Sequence, residues 1–215
     1  MPSKQEIIER LLDPGVVAII RTDSSDHLLQ IATALHQGGI SALEVTMTTP
    51  NAIDAIAEIN ARFQKTLLVG VGTVLDPETA RAAILAGAQF VVTPVSNPRV
   101  IKMCARYGKP IISGAMTPTE ALATHEAGAD FVKLFPADNL GPQYVRNLLA
   151  PLPMLQIIPT GGVTPEMAEE YLRAGCVAVG AGSTLITKEA VRKGDWNGIS
   201  QTAARFVAAA RKVRA

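Results

Sequence analysis

Two residues of this 215-residue chain have side chains that conflict with their surroundings. Lys133 lies between Phe131-Val132 and Leu134-Phe135, and Glu44 sits between Leu43 and Val45 in the run ALEVT. Ionised side chains are rarely buried without partners, because stripping water from an ammonium or a carboxylate is costly. A lysine that gives up its proton in a dry site becomes an amine able to attack a carbonyl and form a Schiff base. A carboxylate facing the same cavity could move protons during cleavage of a carbon–carbon bond, directly or through a water. Plainer readings stand beside these: a lysine near a strand end that reaches water, and a structural ion pair of Glu44 with Lys133 or Arg21.

A third element is rich in glycine. PTGGVTPE at 159–166 places Gly161 and Gly162 just before a helix start, and GAGSTL at 180–185 places Gly182 and Ser183 in a similar turn. Backbone N–H groups at such turns and helix N-termini bind phosphate, although Gly-Gly is also ordinary turn chemistry. Arg21, Thr73 and the pair Thr93-Pro94 also fall at the ends of apolar runs. Thr73 and Pro94 could shape a pocket, or simply belong to a turn and a strand-edge proline. His27, His36 and His125 fall inside helical patterns, and no carboxylate cluster accompanies them. A metal-dependent version of the chemistry is therefore disfavoured, and no cofactor is expected.

The elements that position these residues follow from composition and periodicity. Hydrophobic residues make up 48% and charged residues 18%, and the net charge is +1, which together rule out a disordered chain. Balanced charge with no Lys/Arg-rich run argues against nucleic acid as a partner. The opening stretch MPSKQEIIERLLDPG lacks the apolar core of a signal peptide, and no run reaches the roughly 18 apolar residues of a membrane span. Cys104 and Cys176 form no CxxC or Cys/His pattern, which fits a reducing compartment. These features predict a soluble cytoplasmic protein with no membrane partner.

About eight short apolar runs alternate with helical patterns: VVAII, ALEVT, LLVG, FVVT, PIIS, FVKLF, QIIPT and VAVG. Near-continuous apolar runs are the mark of parallel strands covered on both faces. Asp76-Pro77 and Thr164-Pro165 read as helix starts, and Gly38-Gly39, Gly87, Gly128 and Gly175 as helix stops. Eight βα units in this length predict one (β/α)8 barrel, with an extra helix over residues 4–12 closing its bottom. The rival doubly wound sheet lacks its GxGxxG fingerprint. In a (β/α)8 barrel the C-terminal strand ends carry the chemistry, and Arg21, Glu44, Thr73, Pro94, Lys133 and both glycine turns all fall there.

The succession ALEVT, GVGTVLDPE, VVTP, FVKLFPAD, PTGGVTPE and GAGS resembles the 2-keto-3-deoxy-6-phosphogluconate / 4-hydroxy-2-oxoglutarate aldolase family, over nearly the whole chain. The resemblance implies a single class I aldolase barrel over 1–215, with Lys133 as the Schiff-base lysine and Glu44 as the general acid/base. It implies that Arg21, Thr73, Pro94 and Phe135 contact substrate and that Gly161, Gly162, Gly182 and Ser183 hold its phosphate. The implied substrate is a phosphorylated keto acid, cleaved without metal to pyruvate and glyceraldehyde 3-phosphate, and the implied assembly is a homotrimer. One position departs from the gluconate-type pattern E-V-T-L-R-T: this chain reads EVTMTTP, with Thr48 at the arginine position. Together with Pro50 and GPQYVRNL at 141–148, that departure looks more like the 6-phosphogalactonate branch. Two other classes fit the same residues: a phosphosugar isomerase or epimerase without a covalent step, and a ligand-binding barrel without chemistry.

Overall fold

A computed structural model describes residues 2–63 and 66–214. All eight apolar runs contribute strands: β1 (Val16–Ile20), β2 (Ala42–Thr46), β3 (Leu68–Gly72), β4 (Phe90–Thr93), β5 (Ile111–Ala115), β6 (Phe131–Leu134), β7 (Ile157–Pro159) and β8 (Val179–Ala181). Each is parallel to its neighbours in the order β7-β6-β5-β4-β3-β2-β1-β8. The seam between β7 and β8 is drawn together by a parallel bridge of Thr160 with Gly180. A hydrogen bond from Val177 N to Ile157 O (3.0 Å) adds to it. The architecture is a (β/α)8 barrel.

The helices are α1 (Lys4–Leu12), α2 (Leu28–Gln37), α3 (Ala52–Phe63), α4 (Pro77–Leu85), α5 (Pro98–Arg106), α6 (Pro118–Glu126), α7 (Gly141–Leu149), α8 (Pro165–Arg173), α9 (Lys188–Lys193) and α10 (Trp196–Arg214). Asp76 caps α4 by accepting from Thr79 N at 2.6 Å, and Thr164 caps α8 by accepting from Met167 N at 3.3 Å. Caps of this kind contribute about 1 kcal/mol each. Gly39, Gly87, Gly128 and Gly175 all take positive φ just past a helix.

Strand limits shift where backbone hydrogen bonding decides. β3 runs on through Val71 and Gly72, two residues beyond LLVG, because β2 keeps pairing with it up to Thr46. β5 starts after Pro110, which has no N–H, and extends through Gly114 and Ala115. β8 begins at Val179, where pairing with Val16 of β1 begins.

Two apolar cores flank the strands. The larger lies between barrel and helices. The smaller fills the barrel's lower interior: Val17, Ala42, Leu68, Phe90, Val92, Ile112, Phe131, Ile158 and Ala178, closed from below by Ile7 and Leu11 of α1. Gly70 makes room for the Phe90 ring, which a β-carbon there would strike. A capping box starts α1, with Ser3 Oγ accepting from Glu6 N and the Glu6 carboxylate accepting from Ser3 N. Lys4 ties the helix to Asp130 at 2.7 Å, and Asp130 in turn accepts from Ile111 N at 3.0 Å. Cys104 and Cys176 are buried and unpaired in the larger core, and burial pushes both thiols up to about 12.

Candidate active site

Strand side chains alternate between the two faces of a sheet, so stepping two residues up from each floor residue reaches the barrel mouth. Above Val17 come Ile19 and Arg21, above Ala42 comes Glu44, above Phe131 come Lys133 and Phe135, and above Ile158 comes Thr160. These residues line a cavity of about 550 Å³ together with Thr48, Thr73, Pro94, Gly161, Gly162, Gly182 and Ser183. All ten residues singled out in the sequence, including both glycine turns, therefore meet around one space. Its size suits a small-molecule ligand.

Glu44 and Lys133 are 2% and 6% exposed, deeper than any other charged residue of the cavity. Glu44 stands in register with Ile19 and Gly70, and Lys133 with Gly114 and Ile158. Burial raises the Glu44 carboxyl above its ordinary range, opposed by the positive charges of Lys133 and then Arg21. Among the described residues, no hydrogen bond or direct ion pair ties Glu44 to Lys133 or Arg21, so the structural ion pair considered from the sequence is not formed. The Lys133 ammonium nitrogen lies 5.2 Å from the centre of the Phe135 ring. The arrangement is an amine and an acid on opposite walls, both open to a ligand between them.

Two glycines fix these walls, and sequence reasoning had assigned neither a role. A β-carbon on Gly72 would collide with the Glu44 carboxylate, and one on Gly114 would collide with the Pro94 backbone. Ile19, Thr160, Ile186, Asp23 and Lys188 also line the cavity without having been singled out. Period-two alternation from Val17 to Arg21 could have found Ile19. Lys188 and Asp23, bridged at 3.2 Å, carried no sequence signal.

The glycine turns sit at the rim. Gly161 and Gly162 have φ of 104° and 65°, and a β-carbon on Gly162 would press on Asp138 at 2.7 Å. Only glycine holds that turn without strain. Thr184 Oγ1 donates to Val163 O, which fastens the β8 turn to the β7 turn. On the opposite rim, Thr46 is hydrogen-bonded to Thr48 (3.1 Å) and Thr49 (3.3 Å), and Thr22 N donates to Thr49 Oγ1 (3.3 Å). Thr48 thus lines the cavity with a short side chain whose hydroxyl is bonded to Thr46. Among the described residues, no group of three His, Cys, Asp or Glu side chains is arranged to hold a metal ion.

A family model described as KDPG and KHG aldolase matches residues 7–202. A 2-dehydro-3-deoxy-phosphogluconate aldolase of Haemophilus influenzae is 34% identical over 198 residues, covering 92% of this chain and 93% of the relative. A 2-dehydro-3-deoxy-6-phosphogalactonate aldolase of Escherichia coli is 37% identical over 171 residues, covering 79% and 83%. Among solved structures, a KDPG aldolase from Legionella pneumophila holds pyruvate captured at low pH as a covalent carbinolamine intermediate. It superposes with a TM-score of 0.82 at 30% identity, over 88% of this chain and 92% of that one.

Proposed function

The chain belongs to the KDPG and KHG aldolase family, and from that premise we propose how its own residues carry out carbon–carbon cleavage. It is a Schiff-base aldolase, a lyase, and the non-covalent isomerase is not favoured. The proposed substrate is a 2-keto-3-deoxy-6-phospho sugar acid of gluconate or galactonate type. Lys133 Nζ adds to the C2 carbonyl, and loss of water leaves an iminium. Glu44, directly or through a water, takes the proton from the C4 hydroxyl. The C3–C4 electron pair then flows into the iminium, releasing glyceraldehyde 3-phosphate and leaving an enamine. Protonation at C3 and hydrolysis free pyruvate and regenerate the amine.

Arg21, Thr73, Pro94 and Phe135 would hold the keto-acid end, and Gly161, Gly162, Gly182 and Ser183 the phosphate. The observation that carries this reading is the unbonded, nearly buried Lys133 and Glu44 facing one cavity whose rim is formed by the two glycine turns. Thr48, at the arginine position of gluconate-type members, supports the galactonate stereoisomer, as does the similarity to the Escherichia coli galactonate enzyme. Assays of both stereoisomers under one set of conditions decide between them. A single barrel over 1–215, a homotrimeric assembly and a cytoplasmic setting complete the proposal. Among the described residues, no helix is long and apolar enough to cross a membrane.

The decisive experiment is borohydride reduction with pyruvate, followed by peptide mass spectrometry. One reduced pyruvate on the Lys133 peptide is expected. A folded protein that gave no adduct, or an adduct on another lysine, would overturn the assignment.

A further inference from the structure

The cavity mouth carries an ion pair that the chemistry at Lys133 and Glu44 does not use. Lys188, the first residue of α9, and Asp23, in the loop after β1, line the cavity beside the glycine turns. The Lys188 ammonium lies 3.2 Å from an Asp23 carboxylate oxygen, although the two residues are 165 positions apart. Their side chains are 86% and 88% exposed. A pair so open to water does little for stability and exchanges partners readily. Helix geometry gives no reason for the lysine either, because a cation in a first turn opposes the helix dipole.

The charge inventory supplies a reason. Of the three cations lining the cavity, Lys133 is committed to the carbonyl, which leaves Arg21 and Lys188 for the substrate's anionic groups. Arg21 opposes the raised Glu44 carboxyl with its charge, and the proposed function assigns it to the keto-acid end. Lys188 follows the β8 turn, where Leu185 N and Ile186 N both donate to Gly182 O (2.9 and 2.8 Å). That turn places it at the end where Gly182 and Ser183 sit. Backbone N–H groups and a serine hydroxyl carry no full charge, so a phosphate dianion bound there lacks a counter-ion unless a side chain provides one.

We infer that Lys188 is the counter-ion of the substrate's phosphate and that Asp23 holds it in place while the site is empty. The exchange of Asp23 for phosphate then makes the cavity select phosphorylated over unphosphorylated aldehydes. The inference rests on the proposed phosphate site at the glycine turns, and the test separates the two.

The test runs the reaction in the condensing direction, with pyruvate and either glyceraldehyde 3-phosphate or glyceraldehyde, and reads the ratio of the two kcat/KM values. Lys188→Gln is expected to lower that ratio roughly tenfold, the loss of one charge-assisted hydrogen bond. Asp23→Asn should raise it roughly two- to threefold by removing the competitor, and should do nothing in the Lys188→Gln background, since the two residues act as one unit. Ser183→Asp, which sets a carboxylate into the phosphate turn, probes the underlying site. A ratio moved by Ser183→Asp but not by Lys188→Gln overturns the role of Lys188 alone. A ratio moved by neither overturns the phosphate site, and the counter-ion with it.

Discussion

The two ends of the same eight strands solve opposite problems. At the floor, Phe90, Phe131, Ile112 and Leu68 meet Ile7 and Leu11 of α1 in a space closed to solvent. Two residues further along the same strands stand Lys133, Gly114 and Gly70, and beyond them Phe135, Thr160 and the glycine turns. The floor is filled by large apolar side chains. At the mouth, Glu44 and Lys133 stand among glycines, with Gly72 leaving room for the Glu44 carboxylate and Gly114 for the Pro94 backbone. Dense packing below gives the rigidity that lets an amine and a carboxyl sit unbonded above, since a loose scaffold would let them collapse onto each other. Stability and function are thus separated by about one residue pair along each strand.

That separation can be broken at either end. Lys133→Ala should reduce turnover by roughly a thousandfold or more, about 4 kcal/mol of barrier, with thermal melting showing the fold retained. Turnover near the parent rate would remove the covalent route. At the floor, Leu11→Ala should cost about 2–5 kcal/mol of stability by leaving a cavity under the barrel. Chemical denaturation measures that loss, and kcat well below the melting range should stay close to the parent value. A collapse of kcat in the still-folded variant would show that the floor takes part in the chemistry. Gly72→Ala sets a β-carbon against the Glu44 carboxylate and should slow the reaction by roughly a hundredfold through misplacement. The pyruvate adduct on Lys133 should still form in that variant.

The smallest effect is the pH dependence contributed by Glu44. Its carboxyl is raised in the fold from an ordinary value of 4.5, so the unfolded chain loses that proton first as pH rises. The fold therefore carries no penalty from Glu44 below that value. It loses stability as pH climbs through the raised folded value, and levels off once Glu44 is ionised in the fold. Glu44→Gln removes the titration. Denaturation of both proteins from pH 4 upward should show the variant gaining on the parent, and a constant difference would contradict the raised carboxyl.

Much of the molecule is legible in its sequence because the governing rules are local. Apolar runs, proline-led helix starts and glycine stops place the βα units. Lys133 and Glu44 reveal themselves because a charge inside an apolar run is costly wherever the run ends up. Strand ends were read less well at β3, β5 and β8, where pairing with a neighbour decides the limit. Gly72 and Gly114 look like ordinary strand or turn glycines until the residues across from them are known. Asp23 and Lys188 are ordinary surface charges in the sequence, and only closure of the barrel brings the first strand beside the last. Relations between the first strand and the last are the least visible from a linear reading.

The plug made by α1 also dictates an order of events. With the bottom sealed, everything that enters or leaves must use one doorway, and Lys133 lies behind the exposed turns at Gly162 and Ser183. In the proposed mechanism, the fragment covalently held at Lys133 therefore stands at the back of a queue. By that mechanism the aldehyde leaves first and pyruvate last in cleavage, and pyruvate arrives before the aldehyde in condensation. The sequence of traffic is written into the shape of a cup with a single opening.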